Sequence, residues 1–394
     1  MEFIFSDKVN QMEAGIFAVL NEKKEKLMRE GREIYNLSVG TPDFAPAPHV
    51  MAAVAAAAAK PENYKYAITE RPELLEAVQQ FYQKRFGVAL SQNEIMSING
   101  SQEGIAHIAW TLCNPGDLVL VPNPGYPIFT NGPLLCGAKL ATYPLYREHN
   151  FLPLLEEIPA EVARRAKFMI VSYPLNPVGA VANDDFYRKL IEFAQKYNII
   201  ILHDNAYSDM VYGNQKGGSF LAFTGAKEVG VEFYSLSKSY NLTGARISFV
   251  VGNEKIIEKF SEMRSQIDYG IFLPVQCGAV AALTGPLEAV TAQCREYEAR
   301  NEELCRGLCD IGWEVPASKG TMFVWAPLPE GYTDSNEFCI ELMEKSGVIC
   351  VPGVSFGSLG EGFVRFALVE SVPTIKKIVK AIDKSGMIRR NGLE

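Results

Sequence analysis

Lys167-Phe168-Met169-Ile170-Val171-Ser172-Tyr173 is an apolar run of strand length. Asp184 to Tyr197 follows, with Phe186, Leu190, Phe193, Ala194 and Tyr197 at helical spacing. Directly after it comes Asn198-Ile199-Ile200-Ile201-Leu202, a second apolar strand. A strand without polar alternation, an amphipathic helix and another such strand make the unit of a parallel sheet covered on both faces. The alternation continues outward. Ile95 to Asn99 reads as a strand and Gln102 to Leu112 as a helix; Asp117 to Val121 is a strand and Tyr126 to Leu135 a helix. Phe233 to Ser235 and Ile247 to Val251 are two further strands. The class is α/β.

Near Gly285 the pattern changes. Leu287 to Leu308 reads as one long helix with a polar face, followed by shorter mixed elements: Met322 to Ala326, Asn336 to Lys345, Val348 to Val351, Gly362 to Leu368 and a last helix, Pro373 to Lys384. Ahead of everything, Val19 to Glu33 is a charged helix. These changes divide the chain into a segment 1–45 that packs with the smaller domain, a large domain 46–285 and a small α+β domain 286–394.

Composition bounds the function. Of 394 residues, 48 % are apolar and 21 % charged, with a net charge of 38 − 46 = −8. That is too apolar for a disordered chain and of the wrong sign for binding nucleic-acid phosphates. The longest apolar run, Val50 to Ala59, has ten residues, where a bilayer span needs about 20; it reads as a helix inside the body. The first residues lack a basic stretch followed by an apolar one, and the eight cysteines have no regular spacing. The expectation is a cytoplasmic protein with reduced, mostly buried thiols. Cys305 and Cys309 lie one helical turn apart, but none of the four histidines has ligand spacing to them, so no metal site is expected.

In open parallel sheets, ligands bind at the carboxyl ends of the strands. Five loops there carry polar residues. Asn99-Gly100-Ser101-Gln102-Glu103-Gly104 leaves a strand and opens a helix, whose free N–H groups attract an anion. Asn123-Pro124-Gly125-Tyr126-Pro127 sets an aromatic ring at a strand end. Tyr173-Pro174-Leu175-Asn176-Pro177-Val178-Gly179 contains a candidate cis peptide at Asn176-Pro177. His203-Asp204-Asn205-Ala206-Tyr207 puts a carboxylate at the end of an all-apolar strand, which is costly without a cation; His203 reads as structural. Ser235-Leu236-Ser237-Lys238-Ser239-Tyr240-Asn241-Leu242-Thr243-Gly244-Ala245-Arg246 offers hydroxyls, an amine and a guanidinium, suited to an anion and a Schiff base.

At these loops the chain resembles the class I/II aminotransferases, pyridoxal-phosphate (PLP) enzymes of fold type I. The likeness runs from about Phe17 to the last helix. The run Gly100 to His107, the turn Asn114 to Asp117 and the turn Pro124 to Pro127 are similar to the LL-diaminopimelate aminotransferase-like group. The resemblance implies a large domain with a mostly parallel seven-stranded sheet, pyridoxal 5'-phosphate as cofactor and a homodimer with shared sites. It implies that Lys238 forms the Schiff base and moves the proton, that Asp204 pairs with the pyridinium nitrogen, and that Tyr207 and Asn176 bond the ring oxygen. Tyr126 would stack on the ring. Backbone amides of Ser101 and Gln102, with Ser235, Ser237 and Arg246, would hold the phosphate, and Tyr66 (or Tyr64) would reach the phosphate of the neighbouring subunit. Arg365, an Arg inside the apolar run Val364 to Leu368, would clamp the substrate's α-carboxylate, with Gly40 closing over it.

Three departures stand out. The stretch Tyr64 to Leu75 lacks a Gly and an Arg usual in relatives; Leu175-Asn176-Pro177-Val178-Gly179 keeps the Asn but loses two polar groups; Asp268 to Pro274 replaces a more polar stretch. The last predicts a side-chain pocket unlike that of the diaminopimelate enzymes. The implied reaction moves an amino group between an L-amino acid and a 2-oxo acid. A PLP-dependent β-lyase (C-S lyase) would use the same residues. A regulator of this fold would need a DNA-binding module, for which the acidic chain gives no sign.

Overall fold

The computed structural model describes residues 1, 3–10, 15–213, 215 and 217–388. Residues 2, 11–14, 214, 216 and 389–394, which belong to the three expected segments, lie outside the described residues. In chain order the strands are β1 (Tyr35–Asn36), β2 (Ile95–Ile98), β3 (Leu118–Asn123), β4 (Lys139–Pro144), β5 (Ala166–Ser172) and β6 (Ile200–Asp204). Then follow β7 (Gly230–Ser235), β8 (Ser248–Gly252), β9 (Phe323–Pro327), β10 (Val348–Ile349), β11 (Val351–Pro352) and β12 (Phe363–Ala367).

Seven strands form one sheet in the order β2-β8-β7-β6-β5-β3-β4. Only β8 runs against its neighbours; the remaining pairs are parallel. This is the α/β architecture with a mostly parallel sheet that the alternation of strand and helix predicts. Every residue of β2, β7 and β8 is buried, so the runs lack polar alternation.

The helix Asp184–Tyr197 has the predicted bounds. Asn183 opens it by accepting from the Phe186 N–H at 2.9 Å, and Asn198, at φ 55°, closes it. The helix after β3 starts at Ile128 rather than at Tyr126, because Pro127 occupies the cap position. The N-terminal helix is Gly15–Arg29, earlier than the charge pattern suggests; Gly31 at φ 79° ends it.

A second body surrounds the antiparallel sheet β11-β12-β9. The long helix Glu288–Asp310 and the last helix Val372–Lys384 cover it, burying Leu304, Leu308, Ile375 and Ile378 with Trp313, Phe338 and Phe366. The run Val348 to Val351, read as one short element, divides at Cys350: β10 pairs with β1, and β11 pairs with β12. The pairing of β1 with β10 fastens residues near the N-terminus to this second body. Leu37 strengthens the link, donating to Ile349 and accepting from Ala367.

Fewer thiols are buried than predicted: Cys305, Cys339 and Cys350 are, whereas Cys309 is exposed and the other four are half-buried. No single helix of the described residues is long and apolar enough to cross a membrane; the helices Leu273–Thr284 and Glu288–Asp310 pass such a test only as a bent pair.

Candidate active site

The carboxyl ends of β3, β5, β6 and β7 converge on a cavity of about 650 Å³ between the two bodies. Ser101 and Gln102 line it from the helix after β2, Tyr126 from the turn after β3, and Asn176 from the loop after β5. Asp204 and Tyr207 enter from β6, and Ser235, Ser237, Lys238 and Arg246 from β7 and its loop. Gly40 and Arg365 close it from the side of the second body. Tyr66 stands apart. It is 78 % exposed, and its ring meets Tyr269 edge-on at 5.1 Å.

Asp204 is buried, and its Oδ1 has no hydrogen-bond partner. Desolvation raises its pKa to about 6, against the lowering influence of His203 and the Ala206 N–H. Among the described residues this carboxylate has no ion-pair partner, and its free oxygen is open to a cation. His203 beside it faces away, bonded to Glu232 (3.0 Å) and Tyr187 (3.2 Å), which makes it structural.

Lys238 donates from Nζ to the Gly40 carbonyl at 2.7 Å. Desolvation first, then the charges of Arg365 and Arg246, lower its pKa to about 8. An amine so poised is neutral in a useful fraction near neutral pH and can act as nucleophile and base. Its loop is fixed from two sides. Gln293 donates to the Lys238 carbonyl at 2.9 Å, and Ser239 donates to Asp209 at 2.7 Å, which Tyr234 and Arg85 also hold.

At the other end, Gly100 has φ 95°, and a Cβ there would collide with the Arg246 guanidinium. Glycine lets that cation lie across the N-terminus of the helix Ser101–Leu112. The Ser101 Oγ is buried without a partner. A guanidinium, an unpaired hydroxyl and the free N–H groups of a helix start fit a phosphate. Ser235 is partly engaged already, accepting from the Ser237 N–H (3.1 Å) and the Ser248 hydroxyl (2.9 Å).

Arg365 is buried in β12 and makes no ion pair with the described residues. Nη1 donates to Asn176 Oδ1 (2.9 Å) and Nη2 to the Ser38 carbonyl (3.0 Å), while Nε is unpaired. The guanidinium lies between two rings, 4.2 Å from the centre of Phe323 and 4.7 Å from that of Phe356. Burial lowers its pKa to about 10, so it remains charged near neutrality. A planar cation held flat by two rings, with open donors, suits a carboxylate.

Residues 32–382 match the model of the family described as aminotransferase class I and II. The chain belongs to that family. This aminotransferase is 41 % identical over 365 residues to the LL-diaminopimelate aminotransferase of Dehalococcoides mccartyi (strain 195), covering 92 % of this chain and 94 % of that one. It is 39 % identical to the LL-diaminopimelate aminotransferase of Aquifex aeolicus, over 97 % and 98 % of the two chains. Among solved structures, substrate-bound BacF from Bacillus subtilis superposes with a TM-score of 0.94 at 36 % identity, covering 97 % and 98 %. A probable N-succinyldiaminopimelate aminotransferase from Thermus thermophilus gives 0.89 at 34 %, covering 94 % and 100 %. Both relatives compared by sequence are named as aminotransferases, and this enzyme is a transaminase.

Several residues in and behind the cavity wall of the aminotransferase escape sequence reading. Phe323 and Phe356 belong to ordinary apolar stretches, and only their packing against Arg365 gives them a role. Thr243 and Gly244 line the cavity between Lys238 and Arg246; their place inside the quoted loop was the available signal. Arg300 was missed entirely. It holds Asp43 through two bonds, 2.7 and 2.9 Å, and donates to the Leu368 carbonyl at 2.8 Å, which anchors the stretch carrying Gly40.

Proposed function

We propose that this aminotransferase binds pyridoxal 5'-phosphate in the cavity and moves an amino group between an L-amino acid and a 2-oxo acid. The observation that carries the reading is the opposition of Asp204 and Arg246. Among the described residues, one end of the cavity has a buried carboxylate without an ion-pair partner, and the other has a cation and a helix start without an anion. A protonated pyridine ring bearing a phosphate satisfies both. When bound, the cofactor supplies an aldehyde that condenses with amines and a ring that withdraws electrons from the substrate's α-carbon.

The chain's own groups do the rest. Asp204 would hold the cofactor's ring nitrogen in its protonated form. Asn176 has its oxygen engaged by Arg365 and its amide nitrogen available as a donor; with Tyr207 it would bond the ring oxygen. Tyr126, held by a bond to Gln102 at 2.7 Å, would stack on the ring. Arg246, Ser101, Gln102, Ser235 and Ser237 would hold the phosphate. Arg365 would take the substrate's α-carboxylate, with Gly40 closing over it. Lys238 Nζ, when neutral, would take the α-proton.

We further propose a cytoplasmic homodimer with a large domain over 46–285 and a small one formed by 286–394 with 1–45. Tyr66 then serves the partner's phosphate. Its hydroxyl has no bond among the described residues, whereas that of Tyr64 is engaged with the Ala58 carbonyl at 2.9 Å.

The test is reduction with borohydride of the protein loaded with cofactor. Reduced wild type should carry a covalent adduct on Lys238, and unreduced wild type should form 2-oxo acid from amino acid without releasing ammonia. Lys238→Ala should do neither. Adduct retained in that variant would refute the assignment, and ammonia release with no amino transfer would replace transamination by elimination.

A further inference from the structure

Four charged side chains line the cavity: Asp204, Lys238, Arg246 and Arg365. On the reading above, each has a task. Asp204 and Arg246 hold the cofactor, Lys238 meets the amine and Arg365 the α-carboxylate. Nothing charged remains in this wall to receive a charged substrate side chain.

Besides those four, the cavity is lined by neutral side chains, several of them apolar. The substrate's α-carbon must lie between its carboxylate and its amine, hence between Arg365 and Lys238. Arg365 bonds the Ser38 carbonyl and Lys238 bonds the Gly40 carbonyl. Val39 stands between these two and lines the cavity, half exposed at 51 %. Ile128 and Ile105 line it as well.

The two other arginines with a claim on a distal carboxylate are engaged. Arg264 pairs with Asp268 through two bonds, 3.0 and 3.1 Å, and Arg71 pairs with Glu73 at 3.3 Å. The surface around Tyr66 is aromatic: Tyr66 meets Tyr269, and Tyr64 meets Phe272 edge-on at 5.3 Å, all four exposed. If Tyr66 reaches the partner's site, these rings come to its mouth.

We propose that the amino acid substrate of this enzyme has an uncharged, apolar or aromatic side chain. The inference rests on the aminotransferase reading of the site. A carboxylate or ammonium brought into this cavity loses hydration without gaining a free charged partner among the described residues that line it, while an apolar chain gains by leaving water.

The test mixes the holoenzyme with single amino acids and follows the cofactor's absorbance. L-phenylalanine, L-leucine and L-methionine should convert the enzyme with second-order constants at least about 50-fold above those of L-aspartate, L-glutamate and LL-diaminopimelate. Calorimetry supplies a readout independent of turnover: 3-phenylpropanoate should bind the holoenzyme about 10-fold or more tighter than glutarate. Charged amino acids reacting as fast as the neutral ones, or glutarate binding as well, would overturn the substrate class and leave the aminotransferase reading intact. Conversion by none of the six would remove that reading and this inference together.

Discussion

The Lys238 ammonium donates to the Gly40 carbonyl at 2.7 Å, across 198 residues of sequence. The bond joins the loop after β7 to the stretch that leaves β1, and so ties the large sheet to the second body at the point where an amine would react. Neutral Nζ still donates there, which holds the amine in place without holding its charge.

The lowered pKa of Lys238, about 8, sets the pH dependence of cofactor capture. The amine attacks an aldehyde only when neutral, and its neutral fraction rises through pH 8. Covalent adduct formation on the cofactor-free protein should accelerate about 10-fold from pH 7 to pH 9 and then level off. Stopped-flow absorbance at fixed cofactor concentration measures this. A rate still climbing about tenfold between pH 8 and pH 9 would mean that the amine keeps an ordinary lysine pKa.

Asp204 has the opposite sign. Its folded pKa, about 6, is raised above the unfolded value of about 4. The folded cofactor-free protein therefore binds more protons between those limits, and stability from this group falls as pH rises from 4 to 6. The loss is about 3 kcal/mol, at 1.36 per unit. Asp204→Asn should raise the unfolding midpoint of the cofactor-free protein above pH 6 and still cost at least about 100-fold in turnover. Thermal unfolding across pH, with and without cofactor, reads both.

Arg365→Met should raise KM for every amino acid alike and lower kcat/KM about 100-fold, the loss of a bidentate charged pair. Arg365→Lys should recover little, because a single ammonium can neither stack between Phe323 and Phe356 nor offer the fork. Steady-state kinetics with several amino acids checks it; an effect confined to one side chain would move Arg365 away from the α-carboxylate.

Arg300→Met removes the cation that holds Asp43. The side chain is buried, so about 3 kcal/mol of stability should go with it. The Gly40 stretch loses its anchor, and kcat/KM should fall more than cofactor affinity does. Cofactor titration beside kinetics separates the two.

Much of this was legible because the anomalies were local. A carboxylate ending Ile199-Ile200-Ile201-Leu202-His203 and an Arg inside Val364 to Leu368 each break an apolar run, and both occur at the site. The sheet followed from runs without alternation. Other features depend on contacts between distant segments. The ring pair around Arg365 comes from two separate stretches, and the division at Cys350 is decided by which strand, β1 or β12, lies alongside. The helices Pro72–Phe86, Glu254–Arg264 and Leu273–Thr284 went unread; the last has apolar residues around much of its surface and no polar stripe to set a period.

Gly100 gives the sharpest test of the phosphate end. Its φ of 95° disfavours any side chain, and a Cβ would occupy the space of the Arg246 guanidinium. Gly100→Ala must therefore strain the backbone, by about 1–3 kcal/mol, and it must also push Arg246 off the helix start or shift that start. The strain lowers stability in either case. Displacement of Arg246 lowers cofactor affinity as well, and Arg246→Ala should then add little to it, because one contact is lost in both variants. The geometry favours displacement, since the guanidinium is the end of a flexible side chain and the backbone at Gly100 is fixed by β2 and the helix after it. The double variant should bind cofactor no more than about 3-fold weaker than Arg246→Ala alone. Additive losses would mean that Gly100→Ala weakens cofactor binding by a route other than Arg246.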